Sequence, residues 1–205
     1  MTRFKGVVFG YQSRKFSIDE DPSVKAVQQK MAGAILGSKC TYKCASSIMR
    51  TQVQPFPRGP QTFHRDYKGR TARLHYFSVA PISECGCFLF VLLNGVYSLI
   101  YIPYGYAIIC RGDAIHAGGI ACEGNDFPRL HTYLNAFDHP DRGTTDPVDE
   151  QPEICFDDNF SLDNNIWFDQ ELDNRLGSHI GKAVSGVNLA NTSIDDVIRS
   201  IICNQ

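Results

Sequence analysis

Between about 48 and 138 the chain runs in short apolar or alternating blocks, CFLFVLL at 87–93 and YAIIC at 106–110 among them, broken by glycine, proline and asparagine. Blocks of this length with turn residues between them predict strands. They fall near 48–54, 61–67, 73–80, 87–93, 97–103, 106–111, 113–118 and 129–137, with turns at PFPRGP (55–60), Lys68-Gly69, Ser83-Glu84, Asn94-Gly95, Arg111-Gly112 and EGNDFP (123–128). Strands without a crossover helix between them predict an antiparallel sandwich or barrel of jelly-roll type. Ahead of them, Val24, Val27, Met31 and Ile35 recur at helical spacing over 22–36. Asp21 stands where a cap belongs and Pro22 suits the first helical position, so one helix is expected to pack on a sheet. After Phe137 the chain turns acidic and Asn-rich to about 165, and a short helix is expected at 194–202 behind Thr192 or Ser193. The expected organisation is a mainly β domain over 1–138, with a strand core at 48–138 and an N-terminal helix. An acidic C-terminal extension, 139–205, then packs on the domain or forms an interface.

Composition narrows this picture. The chain has 205 residues and 43% hydrophobic content, enough for a core, and no apolar run reaches the roughly 18–20 residues of a membrane helix. The N-terminal MTRFKGVVFGYQSRKF lacks the apolar core of a secretory signal. Eight cysteines are scattered over the length, several in apolar strand-like segments, which suits reduced thiols and an intracellular, cytoplasmic location. Cys85-Gly-Cys87 and the Cys40/Cys44 pair lack a zinc-finger rhythm. Residues 1–80 hold 14 Lys+Arg against 4 Asp+Glu, whereas 81–205 hold 6 against 18. Such blocks either pair with each other or leave a basic rim that attracts an anionic substrate.

Chemistry concentrates at two places. In His64-Arg65-Asp66, positions i and i+2 of a strand put an imidazole and a carboxylate on one face. His116 lies in RGDAIHAGG, 50 residues after Asp66. Two histidines and one carboxylate form the facial set that holds non-haem iron(II) with positions left open. An HxD alone arises often by chance; order and spacing add to it. Arg129 opens RLHTYLNAF 13 residues after His116, and its planar fork matches a carboxylate, or else a salt bridge to the acidic extension.

The segments QTFHRDY (61–67), GDAIHAGG (112–119) and RLHTYL (129–134) resemble the iron(II)/2-oxoglutarate-dependent dioxygenase superfamily. The resemblance covers 61–137 and implies a double-stranded β-helix (jelly roll), Fe(II) on His64, Asp66 and His116, and 2-oxoglutarate anchored by Arg129. It also implies a hydroxyl-bearing cofactor contact on a later strand, for which Tyr76 and Ser78 are the candidates, and hydroxylation of a C–H bond with release of succinate and carbon dioxide. His131 and Tyr133 share the strand face of Arg129 and are candidates for the pocket wall. His75 is expected to be structural, and Asp113 to fix its turn. A protein side chain, a methylated base or a small metabolite would each serve as substrate. Two alternatives stand beside this: a non-catalytic jelly-roll binding protein, and a cupin-type metal enzyme without 2-oxoglutarate, in which His75 or His131 would join the metal.

Overall fold

The computed structural model describes residues 7–17, 21–36, 42–53, 61–93, 95–118, 120–122, 128–136, 146–149, 166–167 and 184–188. Their elements are β1 (Val7–Ser17), α1 (Pro22–Leu36), β2 (Tyr42–Val53), β3 (His64–Arg65), a 3-10 turn (Arg70–Leu74), β4 (Tyr76–Pro81), β5 (Cys87–Leu93), β6 (Val96–Ile102), β7 (Tyr106–Arg111), β8 (His116–Ala117), β9 (Ile120–Cys122), β10 (Arg129–Ala136), β11 (Asp146–Pro147), β12 (Ile166–Trp167) and β13 (Val184–Asn188). The expected helix at 194–202 and loop 55–60 lie outside the described residues, as do His139 and His179.

The strands form two sheets, ordered β13-β7-β4-β10-β2-β1-β9 and β11-β3-β8-β5-β6-β12. All pairings are antiparallel except β6 with β12. From β3 to β10 the chain passes back and forth between the sheets, β5–β6 being the one hairpin kept within the smaller sheet. This winding makes the fold a jelly roll, mainly β with one helix.

The larger sheet is apolar on both faces because each face meets a different layer. Phe77, Val79, Ile108 and Cys110 point into the barrel, toward Cys87, Leu89 and Val91 of the smaller sheet. On the other face Ile48, Ala80, Ala107, Ile109, Leu130 and Leu134 pack on Val24, Val27 and Met31 of α1. Each of those three helix residues is fully buried, a burial worth about 1.5–3 kcal/mol per side chain. The helix begins where the sequence marks it: Asp21 Oδ1 accepts hydrogen bonds from the amides of Ser23 (2.8 Å) and Val24 (3.2 Å). Gln28 Nε2 donates to Ser46 Oγ (2.8 Å), which lies 2.7 Å from Thr132 Oγ1, so these three polar side chains under the helix satisfy one another.

β1 was not among the expected strands, and β2 begins at Tyr42 rather than near 48. The described pieces beyond 138 add strands to sheet edges: β11 on β3, β12 on β6 and β13 on β7. They cover backbone groups that would otherwise be open to another chain.

Gly112 marks a close approach. Its amide donates to His75 O (2.7 Å) and its carbonyl accepts from the Tyr67 amide (3.2 Å). A Cβ there would stand 2.5 Å from Tyr67 Cδ2 and 2.7 Å from Ala72 O. Gly112→Ala should therefore destabilise the fold by about 1–3 kcal/mol. Gly33→Ala, in an exposed helical position with nothing within 4 Å, should stabilise it by up to about 1 kcal/mol. Thermal unfolding checks both, with about 2–4 °C of Tm per kcal/mol for a chain of this size.

Candidate metal centre

The centre is built by the pairing of two very short strands. His64 of β3 lies directly opposite His116 of β8. Opposed residues share a face, and here the rings stand 4.4 Å apart. Asp66, two residues beyond His64, returns to that face. All three side chains are buried, and one donor atom from each lies within 4.8 Å of the others. His64 Nε2 is 3.6 Å from Asp66 Oδ1, and His116 Nε2 is 3.8 Å from Asp66 Oδ2.

Hydrogen bonds on the far side of each ring decide what faces inward. His64 Nδ1 lies 2.6 Å from Thr62 O and His116 Nδ1 lies 3.1 Å from Ala114 O. A carbonyl only accepts, so each Nδ1 carries its proton, and when the ring is neutral its Nε2 lone pair turns inward, as a metal ligand must. Burial drives His116 down to about 4, against the pull of the Asp66 charge, and keeps it neutral. Burial acts the same way on His64, but its contact with Asp66 and its bond to Thr62 outweigh it, and its pKa rises. Burial alone would raise Asp66; the three histidines around it reverse this and hold the carboxyl well below the usual range.

Asp66 Oδ2 is buried without a hydrogen-bond partner. An orphaned carboxylate oxygen beside two inward lone pairs is a donor set short of a cation. The residues therefore fit a divalent first-row ion held by two imidazoles and one carboxylate. Among the described residues no other group of His, Cys, Asp or Glu gathers in this way.

Behind the triad stands β10. Register places Arg129, His131 and Tyr133 opposite Pro81, Val79 and Phe77, on the face that looks into the barrel. His131 Nε2 lies 3.5 Å from Asp66 Oδ2, and its ring stacks on Phe77 at 8° and meets Tyr133 edge-on. Phe77 also packs on His116, with centroids 4.1 Å apart. Arg129 is fully buried. Burial lowers its pKa, an effect the nearby Cys87 thiol opposes, while Cys87 itself is pushed up by burial to about 12.

The structure thus brings His64, Asp66, His116 and His131 together and puts Tyr133 and Arg129 on the same wall. It does not bring Tyr76 and Ser78 there, which corrects the expectation that they contact a cofactor. Phe77 between them points into the barrel, so both face α1: Tyr76 packs in the helix-side cluster and Ser78 lies opposite Thr132. His75 stacks on Tyr67 at 4.6 Å, away from the triad. Asp113 does more than shape its turn, binding Arg111 and, at 3.0 Å, Arg73. Tyr67 was not singled out in the sequence, where only its place after Asp66 signals it. Its hydroxyl donates to Asn135 Oδ1 at 2.6 Å, and burial, with the Asp66 charge, pushes the phenol above its ordinary range.

His131 reaches Asp66 but not the ion's own donor set, so it should act by orienting the carboxylate. His131→Ala should weaken Mn(II) or Co(II) binding by about 10–100-fold, with partial recovery in His131→Gln, while His116→Ala removes a ligand outright. Calorimetric titration of the metal-free protein checks this.

No family model matches the chain, and no curated protein matches it. Among solved structures the chain is similar to a prolyl-4-hydroxylase from Pseudomonas putida, at 16% identity and a TM-score of 0.40, over 62% of this chain and 73% of that one.

Proposed function

We propose that the protein is an iron(II)- and 2-oxoglutarate-dependent oxygenase that hydroxylates a C–H bond. The observation that carries this reading is the fully buried Arg129 on the strand face that also touches the metal group. Strand rise separates Arg129 from His131 by about 6.8 Å along β10. That is about the reach of a five-carbon diacid with one end at the metal. A buried guanidinium is stable among acceptors or anions, and its fork suits the far carboxylate. Iron(II) with 2-oxoglutarate and dioxygen would supply the oxidant for the C–H bond, one oxygen atom going to the product hydroxyl and the other to succinate as carbon dioxide leaves.

The chain's own residues do the rest. His64, Asp66 and His116 would hold the ion. His131 holds Asp66 from behind, and Phe77 wedges the rings of His116 and His131 in place. Leu89, Val91, Val79 and Ile108 keep the barrel interior apolar and exclude water from the reacting groups. Tyr67 and Tyr133, edge to face at 5.9 Å, form the wall beside Asp66.

Mixed anaerobically with iron(II) and 2-oxoglutarate, the protein should develop a metal-to-ligand charge-transfer band and release succinate when air enters. Both should vanish in His116→Ala. Arg129→Ala should raise the 2-oxoglutarate concentration needed by roughly tenfold or more, a charge-assisted pair being worth about 1.5–3 kcal/mol. Iron bound without a band would favour a cupin-type enzyme that uses no cosubstrate. Folded protein that binds no iron would favour a non-catalytic jelly roll.

A further inference from the structure

A cleft of about 530 Å³ is lined by Arg65, Tyr67, Arg70, Arg73, Asp113 and Asp146. It borders the two loops that carry the ligands. Arg65 and Tyr67 flank Asp66 in sequence, Asp113 lies three residues before His116, and the Tyr67 amide bonded to Gly112 O ties the loops together. A molecule seated there lies against the segments that carry the ligands.

Its charge is uneven. Asp113 engages Arg111 and Arg73; Asp146 engages Lys68 at 3.1 Å and Arg65 at 3.9 Å. With Arg70, which makes no ion pair among the described residues, three arginines and two carboxylates line the cleft, and Arg111 and Lys68 hold those carboxylates from outside its lining. Exposed pairs of this kind add only about 0–1 kcal/mol each to stability. Their physical effect is on the side chains: an arginine already held by a carboxylate has lost its rotamer freedom in advance and offers its remaining N–H groups in a fixed direction. Gly69, at φ +72°, turns the backbone sharply at the start of the 3-10 turn that presents Arg70 and Arg73.

We propose that this cleft binds a phosphate or carboxylate group of the prime substrate and so sets which C–H bond reaches the metal centre. The proposal rests on the oxygenase reading above and names the substrate class: a small organic anion. A volume near 530 Å³ suits a metabolite, and the three lining arginines stand together in one cleft rather than along a track, as a nucleic acid would require.

The test is calorimetric titration of the metal-free protein with inorganic pyrophosphate, in parallel with an acidic hexapeptide of Asp and Glu. Pyrophosphate should bind the native chain, weaken roughly tenfold or more in Arg70→Gln and in the Arg70→Gln/Arg73→Gln pair, and recover in part in Arg70→Lys, which keeps the charge without the fork. Arg129→Ala should still bind it. Both arginines are exposed, and an unchanged Tm confirms the variants are folded. No binding to the native chain, binding that ignores Arg70, or binding that is lost in Arg129→Ala would overturn the proposal. A hexapeptide that binds through Arg70 where pyrophosphate does not would overturn the small-substrate class in favour of an acidic polypeptide. The anaerobic iron band reads the metal centre separately. Its absence beside intact pyrophosphate binding would sink the oxygenase reading, and with it the cleft's role in setting the reacting bond, while the anion site itself would stand.

Discussion

A carboxylate with almost no access to water is the point on which the site depends. Asp66 is 3% exposed, and at that depth a negative charge survives only among groups that compensate it. The chain surrounds it with three imidazoles drawn from three strands or their ends: His64 and His116 from the smaller sheet and His131 from the larger. Because two of those rings spend their Nδ1 protons on backbone carbonyls, their inner nitrogens have lone pairs to give. The cluster is therefore tolerable without an ion and more completely satisfied with one. A single core acid fixes where the sheets must meet.

Parity then governs what else can reach it. Along β10, Arg129, His131 and Tyr133 look into the barrel, while Leu130, Thr132 and Leu134 look toward α1. Along β4, Phe77 and Val79 look in while Tyr76 and Ser78 look out. A register shift of one residue would exchange these sets and put leucines where the histidine and arginine now stand. The helix matters to the site in this indirect sense: by covering Ile48, Ile109, Leu130 and Leu134 it makes that exchange costly.

Much of this was legible in the sequence wherever a pattern and its partner lay close together. The helix ran from Pro22 to Leu36 as its stripe and cap required, and the HxD brought His64 and Asp66 to one place, although β3 itself spans only His64–Arg65 and Asp66 lies just past it. Where the deciding partner lay elsewhere, the sequence was silent. Tyr76 and Ser78 do share a face, but which face is set by pairing with β10 and β7, 30 or more residues later. β1 carries Gly, Gln, Ser, Arg and Lys among its apolar residues, and its register against β2 shifts between Arg14 and Phe16, which breaks the period of two. The start of β2, Tyr-Lys-Cys-Ala-Ser-Ser, lacks a strand pattern of its own, and Gln28 and Thr132, far off in sequence, take up Ser46.

The charge imbalance between the two parts of the chain admits a similar argument. A +10 stretch followed by a −12 stretch would be explained by mutual neutralisation, and among the described residues there are pairings of that kind: Asp113 with Arg73, and Asp146 with Lys68 and Arg65. Both occur at the rim of one cleft, where β11 lays Asp146 against β3. Neutralisation for its own sake has no reason to gather there, since solvent and salt already screen exposed charges. Gathering them on the segments that carry Asp66 and His116 does have a consequence: it orients the side chains that first meet whatever enters the cleft.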